Sequence, residues 1–337
     1  MTTISNRQVL LAARPVGLPK DSDWKITETN TPELKTGEIL VKNKFISVDP
    51  AMRGWMNDRA TYVPPIPLDS VMRALTVGEV VQTGNPSFSE GDEVAGLGGV
   101  QNFCASDGKG WEKIDTSISP PPMWLDTLGI AGLTAYCGLL EIGQPKAGDT
   151  VLISGAAGSV GSHVGQIARI KGCKVVGIAG GAEKCRHIVD KLQFDDAIDY
   201  KTEQLRDGLK RTCSNGIDVF FDNVGGETLN LALGRINVGA RIVICGAISQ
   251  YNVTEVPTGP AAYINLLGRR SRMEGFIYFD FKEKWPAMQK DLASWHSSGQ
   301  IQTQHDIAQG SVDIFPNTLL RLFRGENFGK LMIELRQ

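Results

Sequence analysis

The stretch Thr150-Val151-Leu152-Ile153-Ser154-Gly155-Ala156-Ala157-Gly158-Ser159-Val160-Gly161 joins an apolar run to a segment with helical periodicity. Residues 150–154 predict a buried strand, and residues 160–171 predict a helix because apolar positions recur three or four residues apart. The small residues between them suit a dinucleotide-binding turn, which is tight, approaches a pyrophosphate with its backbone and packs helix closely on strand. The helix amino terminus would then bind the phosphates.

The glycine pattern of this turn departs from Gly-x-Gly-x-x-Gly, because Ala156 stands at the first glycine position and Gly155 precedes it. Such a motif is weak alone, so the prediction relies on its strand–turn–helix context. An ordinary connection between a strand and a helix remains the alternative.

Strands and helices alternate downstream of the turn. This alternation predicts a doubly wound parallel sheet covered on both faces, an α/β fold, over residues 127–298. Predicted strands are 174–178, 197–198, 217–221 and 241–245, with a helix at 182–192.

The flanking segments differ in pattern. Residues 1–126 hold short strand-like runs, such as 39–45 and 77–81, separated by turn residues, which predicts a mostly β domain. Residues 299–337 contain a predicted strand at 330–335, and we expect this segment to return to the first domain.

The end of the second predicted strand bears on the choice of nicotinamide cofactor. An enzyme that uses NAD usually has Asp or Glu there to bind the ribose hydroxyls. Here the segment reads Gly177-Ile178-Ala179-Gly180-Gly181, followed by Glu183, Lys184 and Arg186. Since an ammonium group attracts a 2′-phosphate, the sequence favours NADPH, although Glu183 weakens the argument. Lys184 could instead be a solvated lysine of the first helical turn.

The composition excludes several classes of function. The net charge is −2, which gives no indication of a nucleic-acid partner. No apolar run approaches the length of a membrane span and no secretion signal is evident, so we expect a cytoplasmic protein without a membrane partner. The cysteines are dispersed, which predicts free thiols in a reducing compartment. They are Cys104, Cys137, Cys173, Cys185, Cys213 and Cys245.

Metal and nucleophile motifs are missing from the sequence. The chain has 4 histidines and no Cys-x-x-Cys pair, so neither a catalytic nor a structural zinc site can be assembled from it. Gly-x-Ser-x-Gly is also absent, which disfavours hydrolase chemistry. We therefore expect no metal.

Six motifs spread along the chain carry a resemblance to a known family. They begin at Ser47-Val48-Asp49-Pro50-Ala51-Met52-Arg53-Gly54 and continue through 133–139, 221–226, 245–252, 272–276 and 325–330. In these motifs the chain resembles the zinc-independent branch of the medium-chain dehydrogenase/reductase superfamily, which includes prostaglandin and leukotriene reductases and alkenal double-bond reductases. The resemblance implies a GroES-like domain with a Rossmann domain, commonly as a homodimer.

The resemblance also implies an activity and a set of site residues. Members reduce the carbon–carbon double bond of α,β-unsaturated aldehydes and ketones with NADPH, so the expected partner is a small electrophilic substrate. Tyr263 matches the active-site tyrosine, and Tyr62 is a candidate for a second one. The implied cofactor-binding residues are Gly158, Ser159, Val160, Gly161, Lys184, Tyr200, Asn223, Cys245, Ala247, Ile248, Ser249, Tyr251, Phe276, Ile277, Tyr278 and Asn327.

Two departures and two rival functions stay open at this point. Ala51 stands where many relatives have Tyr, which reshapes the substrate pocket, and Gly181 stands where a serine is frequent.

The rivals are an NADPH:quinone oxidoreductase and a protein that binds NADPH as a signal without turnover. Tyr263 could be a wall of the cleft, Tyr62 a packing aromatic, Asp49-Pro50 a simple turn and Arg53 a surface ion-pair partner.

Overall fold

The computed structural model describes residues 4–336 and divides the chain into two compact units. The first contains the residues up to Leu125 together with those from His305 onward, and the second is Asp126–Gln304. The later segment of the first unit thus begins at 305, six residues after the boundary at 299 that the sequence pattern predicts. No helix in the described part of the chain is long and apolar enough to cross a membrane.

The elements follow one another in the order that the sequence patterns indicate. The amino-terminal part contains β1 Ser5–Leu11, β2 Trp24–Asn30, β3 Ile39–Ser47, α1 Met52–Trp55, β4 Thr76–Thr83, β5 Glu93–Gly96, β6 Phe103–Ser106 and β7 Glu112–Lys113. The middle part contains α2 Ile130–Tyr136, β8 Thr150–Ser154, α3 Ser159–Ile170, β9 Lys174–Ala179, α4 Ala182–Asp190, β10 Asp196–Asp199, α5 Leu205–Thr212, β11 Ile217–Asp222, α6 Gly226–Leu233, β12 Ile236–Ile244, α7 Asn265–Arg269, β13 Arg272–Gly275 and α8 Trp285–Ser297. The last part contains β14 His305–Gly310, α9 Phe315–Arg324 and β15 Lys330–Leu335.

Short helical segments complete the secondary structure. A π-helical segment, Cys137–Gly143, directly continues α2. The 3₁₀ helices are Asp21–Asp23, Pro121–Leu125, Ile248–Gln250, Ala261–Ile264, Tyr278–Lys284 and Val312–Ile314.

The second unit is a doubly wound sheet of six parallel strands in the order β10-β9-β8-β11-β12-β13. Strand order reverses between β8 and β11, and in such sheets ligands bind beyond the carboxyl ends of the strands at this reversal. The central strands are continuous apolar runs because both faces are covered. Leu152, Val176, Phe220 and Ile242 form the core of this unit. The predicted α/β fold class is confirmed.

The first unit is mostly β structure. Its larger sheet has the order β14-β15-β3-β4-β5-β7, with β6 also paired to β3, and β1 pairs with β2. Strand β15 lies antiparallel to β3, so the segment that follows the second unit completes the sheet of the first. Buried apolar side chains of the strands pack with Phe315 and Leu319 of α9.

Arg53 is not a surface residue, so its interpretation as a surface ion-pair partner is wrong. Its side chain is 3% exposed and donates hydrogen bonds to the backbone carbonyls of Pro15 and Gly17 and to the side chain of Asn57. Burial lowers the pKa of Arg53, although the carboxylate of Asp23 acts in the opposite direction. The guanidinium group therefore fastens the loop after β1 to α1.

Candidate functional site

The turn between β8 and α3 is built so that its backbone is accessible at the strand reversal. Gly155 has a φ of +61°, which favours glycine. A Cβ atom added at Gly161 would lie 2.4 Å from the carbonyl oxygen of Gly155, so this helix position also requires glycine. The first-turn amides of α3, at Ser159, Val160 and Gly161, have no partner within the helix, and this turn carries no acidic side chain. The arrangement fits an anionic pyrophosphate.

Only the backbone N–H of Ser159 is available to a ligand at this turn, because the side-chain hydroxyl is hydrogen-bonded within the protein. The hydroxyl donates a hydrogen bond to Asp126 Oδ1 at 2.6 Å. Nδ1 of His163 lies 2.6 Å from the carbonyl oxygen of Ser159, so that nitrogen carries the proton, and Nε2 lies 2.8 Å from the hydroxyl oxygen of Thr127. Asp126, Thr127 and His163 are buried. Their hydrogen bonds hold Ser159 in place at the start of α3. The sequence pattern did not indicate this role.

Asn223 follows β11 and is held beside the glycine turn. Its backbone N–H donates to the hydroxyl of Ser154 at 2.8 Å, and its side-chain Nδ2 donates to the carbonyl of Ser154 at 2.7 Å. The carboxyl ends of β8 and β11 are thereby joined. A ligand contact by the Asn223 side chain would accordingly use its oxygen.

Asp222 organises the same edge of the sheet and was not singled out from the sequence. Its Oδ1 accepts hydrogen bonds from the Ser154 hydroxyl at 2.7 Å and from the N–H groups of Val224 and Gly225 at 3.0 Å. Burial raises the pKa of Asp222, while these hydrogen bonds act to lower it. The signal in the sequence was its place at the end of an apolar strand, within the motif at 221–226.

The loop after β12 is docked on the residues that follow β11. The N–H groups of Cys245 and Ile248 donate to the carbonyls of Asp222 and Asn223 at 2.9 and 3.1 Å. The hydroxyl of Ser249 donates to the carbonyl of Val224 at 2.6 Å. The structure therefore brings this predicted loop to the strand reversal, beside Asn223.

Two side chains of this loop have defined surroundings. The N–H of Ala247 donates to the phenol oxygen of Tyr251 at 3.2 Å, which closes the loop on itself. Burial raises the pKa of the Cys245 thiol to about 12, with a smaller contribution from Asp222. The thiol is thus protonated at neutral pH and is not an activated nucleophile.

Phe276 and Tyr278 pack in different ways on either side of Ile277. Phe276 contacts Phe221 edge to face, with ring centroids 6.3 Å apart, and a Cβ atom at Gly138 would lie 2.4 Å from its ring. Tyr278 stacks on Trp285 at 5.1 Å. Phe276 therefore reaches the carboxyl end of β11, and the ring of Tyr278 lies against an aromatic partner that the sequence analysis missed.

Lys184 and Tyr200 come from neighbouring parts of the sheet edge. Lys184 lies in the first turn of α4 and is half-buried. Tyr200 directly follows β10 and is 53% exposed. Since β9 and β10 are adjacent parallel strands, the segments that follow them leave the sheet at the same edge.

Comparison with known proteins assigns the chain to a family. Residues 7–114 match the family described as "N-terminal domain of oxidoreductase", and residues 159–294 match that described as "Zinc-binding dehydrogenase". The NADPH-dependent curcumin reductase of Escherichia coli is 38% identical over 98% of this chain and 97% of its own length. The NADP(+)-dependent 2-alkenal reductase of Nicotiana tabacum is 37% identical over the same shares. The crystal structure of CurA from Vibrio vulnificus in complex with NADPH is 40% identical, with a TM-score of 0.93 over 98% of this chain and 99% of that one.

This chain belongs to the zinc-independent medium-chain dehydrogenase/reductases.

The resemblance inferred from the six motifs is thereby confirmed for this medium-chain dehydrogenase/reductase. Although one matching family is described as zinc-binding, no group of three or more His, Cys, Asp or Glu side chains within residues 4–336 is arranged to hold a metal ion.

The two candidate tyrosines of this medium-chain reductase lie in different units. Tyr263, in the second unit, is 61% exposed on the 3₁₀ helix Ala261–Ile264, which is held to α6 by a hydrogen bond from the Ala262 N–H to Asn230 Oδ1 at 2.9 Å. Tyr62, in the first unit, accepts a hydrogen bond from Trp55 Nε1 at 3.1 Å. This contact uses an oxygen lone pair and not the phenol proton.

Asn327 also lies in the first unit of the reductase, before β15. Its side-chain Nδ2 donates to the carbonyl of Gly329 at 3.1 Å. The next N–H, that of Phe328, donates to Asp306 Oδ2 at 3.2 Å, and the same carboxylate is paired with Arg321. The segment around Asn327 is therefore held in place by β14 and α9.

Proposed function

We propose that this chain is an NADPH-dependent reductase that saturates the carbon–carbon double bond of α,β-unsaturated aldehydes and ketones. The observation that carries the proposal is the turn of small residues between β8 and α3, in which Gly161 cannot accept a side chain, at the strand reversal of a parallel sheet. Membership in the family, the two NADP-dependent reductases that are similar over nearly the whole chain, and the NADPH complex of CurA support it.

The cofactor-binding residues of the proposal extend along the carboxyl edge of the sheet. Gly158 and the amides of 159–161 would hold the pyrophosphate, and Lys184 and Tyr200 would contact the 2′-phosphate. A lysine ammonium and a phenol suit a dianionic phosphate because hydrogen bonds to charged groups are about twice as strong as neutral ones. Asn223, the loop 245–251 and residues 276–278 would line the cofactor cleft. Asn327, a residue of the first unit, is the remaining cofactor-binding residue of the proposal.

Tyr263 is the proposed hydrogen-bond donor to the substrate carbonyl. NADPH, when bound, supplies the hydride for the β-carbon. Negative charge then accumulates on the carbonyl oxygen, and a phenol O–H placed there stabilises it. The exposure of the Tyr263 side chain leaves it accessible to a small ligand. A proton from the phenol or from water completes the reduction at the α-carbon. Tyr62 is the proposed second substrate-side residue.

A homodimer is also part of the proposal. Strand β13 is the edge of the parallel sheet, and all of its residues are exposed, including Met273. An exposed edge strand offers unpaired backbone groups. In a dimer with a twofold axis, the β13 edge of one copy would face the β13 edge of the other. Each copy would then use the same surface, so the interface is self-complementary.

The test is steady-state oxidation of NADPH with a panel of acceptors: an enal, an enone, the corresponding saturated ketone and a quinone. We expect consumption with the enal and the enone, a saturated carbonyl compound as product, and deuterium at the β-carbon when the hydride is labelled. An allylic alcohol as product, or turnover of the quinone alone, would overturn the proposal. Tight NADPH binding without turnover of any acceptor would instead favour a sensor.

A further inference from the structure

Asp199 holds the carboxyl ends of β9 and β10 together. Its Oδ1 accepts hydrogen bonds from the N–H groups of Gly181 at 2.8 Å and of Lys201 at 3.0 Å. Gly181 has a φ of +99° and stands immediately before α4. Partial burial acts to raise the pKa of Asp199, but hydrogen bonds from the Gly181 and Lys201 backbone and the Thr202 side chain, together with the charge of Lys201, outweigh it and the pKa is lowered. An ionised carboxylate therefore fixes the point at which α4 begins.

The phenol of Tyr200 lies directly on the backbone of the turn after β9. A Cβ atom added at Gly180 would be 2.5 Å from the phenol oxygen of Tyr200 and 2.7 Å from its Cζ atom. The N–H of Tyr200 donates to the carbonyl of Ala179 at 3.2 Å, which keeps the start of the residue in register with β9. Position 180 must therefore lack a side chain if the phenol is to occupy this place.

The carboxylate of Asp199 would repel a nearby phosphate if it faced one. No carboxylate stands at the tip of β9, and this absence underlies the preference for NADPH inferred from the sequence, yet the adjacent strand β10 ends in one. Its bonds to the amides of Gly181 and Lys201 direct it towards the backbone of the two turns. The same group that would oppose a 2′-phosphate thus serves to shape the surface beside it.

We propose that Gly180 and Asp199 are positioning residues that set the discrimination between NADPH and NADH. Gly180 provides the place that the Tyr200 phenol occupies, and Asp199 fixes the start of α4, on which Lys184 stands. This inference rests on the proposed function, in which Tyr200 and Lys184 contact the 2′-phosphate.

The first test measures the dissociation constants of NADPH and NADH by calorimetry for Gly180→Ala, Tyr200→Phe and the double variant. We expect Gly180→Ala to weaken NADPH binding roughly tenfold, the scale of one hydrogen bond to a charged group, and to leave NADH binding within about twofold. Because Gly180 acts through Tyr200, the double variant should bind NADPH no more weakly than Tyr200→Phe alone. Gly268→Ala is the matched control, since a Cβ atom there meets nothing within 4 Å.

The second test separates the bonds of Asp199 from its charge. Asp199→Asn keeps an acceptor oxygen for both amides and should retain the NADPH preference, whereas Asp199→Ala should lose it. This pair of variants also decides the question if Gly180→Ala does not fold.

The outcomes distinguish this inference from the function on which it rests. If Tyr200→Phe weakens NADPH binding but neither Gly180→Ala nor Asp199→Ala does, the positioning roles are refuted and the 2′-phosphate contact stands. If Tyr200→Phe and Lys184→Met both leave the NADPH-to-NADH ratio unchanged, the proposed 2′-phosphate site is itself wrong, and the positioning inference is lost with it.

Discussion

The ammonium group of Lys330 lies 2.5 Å from Oδ1 of Asp49, and this pair joins two motifs that are far apart in the sequence. Lys330 is only 1% exposed. The other carboxylate oxygen of Asp49 accepts a hydrogen bond from the hydroxyl of Ser47. The motif at 47–54 is thereby fastened to the motif at 325–330, within the first unit. Asp49-Pro50 is consequently more than a turn.

Replacement of Lys330 by Met should strongly destabilise the first unit. The carboxylate of Asp49 would lose its buried partner, and breaking such a pair from one side costs about 3 kcal/mol or more. Urea unfolding followed by fluorescence measures the loss. Lys109→Met is the control, because its partner Asp107 is also on the surface and exposed pairs contribute less than about 1 kcal/mol. Equal stabilities of the two variants would contradict the structural role of the pair.

The turn between β8 and α3 predicts opposite outcomes for two neighbouring substitutions. Ser159→Ala should leave NADPH affinity within about threefold and destabilise the fold by about 1 kcal/mol, because the hydroxyl serves Asp126. Gly161→Ala should weaken NADPH binding by a factor of ten or more, because its Cβ would displace the carbonyl of Gly155. Titration of NADPH fluorescence measures both. A strong loss of affinity in Ser159→Ala would show that its hydroxyl contacts the phosphate.

Asp222 predicts a pH dependence of stability. Because burial raises its folded-state pKa above the ordinary value of 3.8, the folded chain retains a proton that the unfolded chain releases in the window just above 3.8. The stability of the wild type should therefore fall, relative to Asp222→Asn, as the pH rises through that window, and the difference should then level off. Denaturant unfolding of both proteins over a pH series measures this. A difference that grows with pH at neutrality would contradict the assignment.

Tyr263→Phe should reduce kcat for an enone on the order of 100-fold, because it removes a donor to the carbonyl oxygen. NADPH affinity should not change. Tyr251→Phe is a useful comparison, because the phenol oxygen of Tyr251 accepts a hydrogen bond within its own loop. Removing this oxygen should change the affinity for NADPH more than it changes kcat. A kcat within about threefold of wild type would reduce Tyr263 to a wall of the cleft.

Disruption of the β13 edge should give monomers. Glu274→Pro removes a backbone donor from an edge strand, and Met273→Lys places a charge on its exposed surface. Light scattering coupled to gel filtration measures the mass, with Val238→Lys, another exposed apolar position, as the control. Wild-type protein that is monomeric at micromolar concentration would refute the dimer directly.

The local hydrophobic pattern of the sequence predicted the strands of the parallel sheet well, but it predicted the candidate cofactor site only in part. The strands of the second unit are recognisable because each is an apolar run with small or polar residues at its ends. Long cationic side chains are seldom buried, which is why a surface ion pair was one interpretation of Arg53. The burial of Arg53 and Lys330 depends on partners that only the tertiary fold brings close. The contacts of Asp199 and Asp222 depend in the same way on the alignment of neighbouring strand ends, which no single segment of sequence reveals.

The position of β14 and β15 has a consequence for biosynthesis. The nucleotide-binding unit is continuous in the chain, so it can fold as soon as it has left the ribosome. The unit that precedes it in the sequence must wait, because two strands of its sheet are translated only afterwards. We therefore expect the second unit to complete its folding during translation before the first does, against the usual order in which the preceding domain folds first.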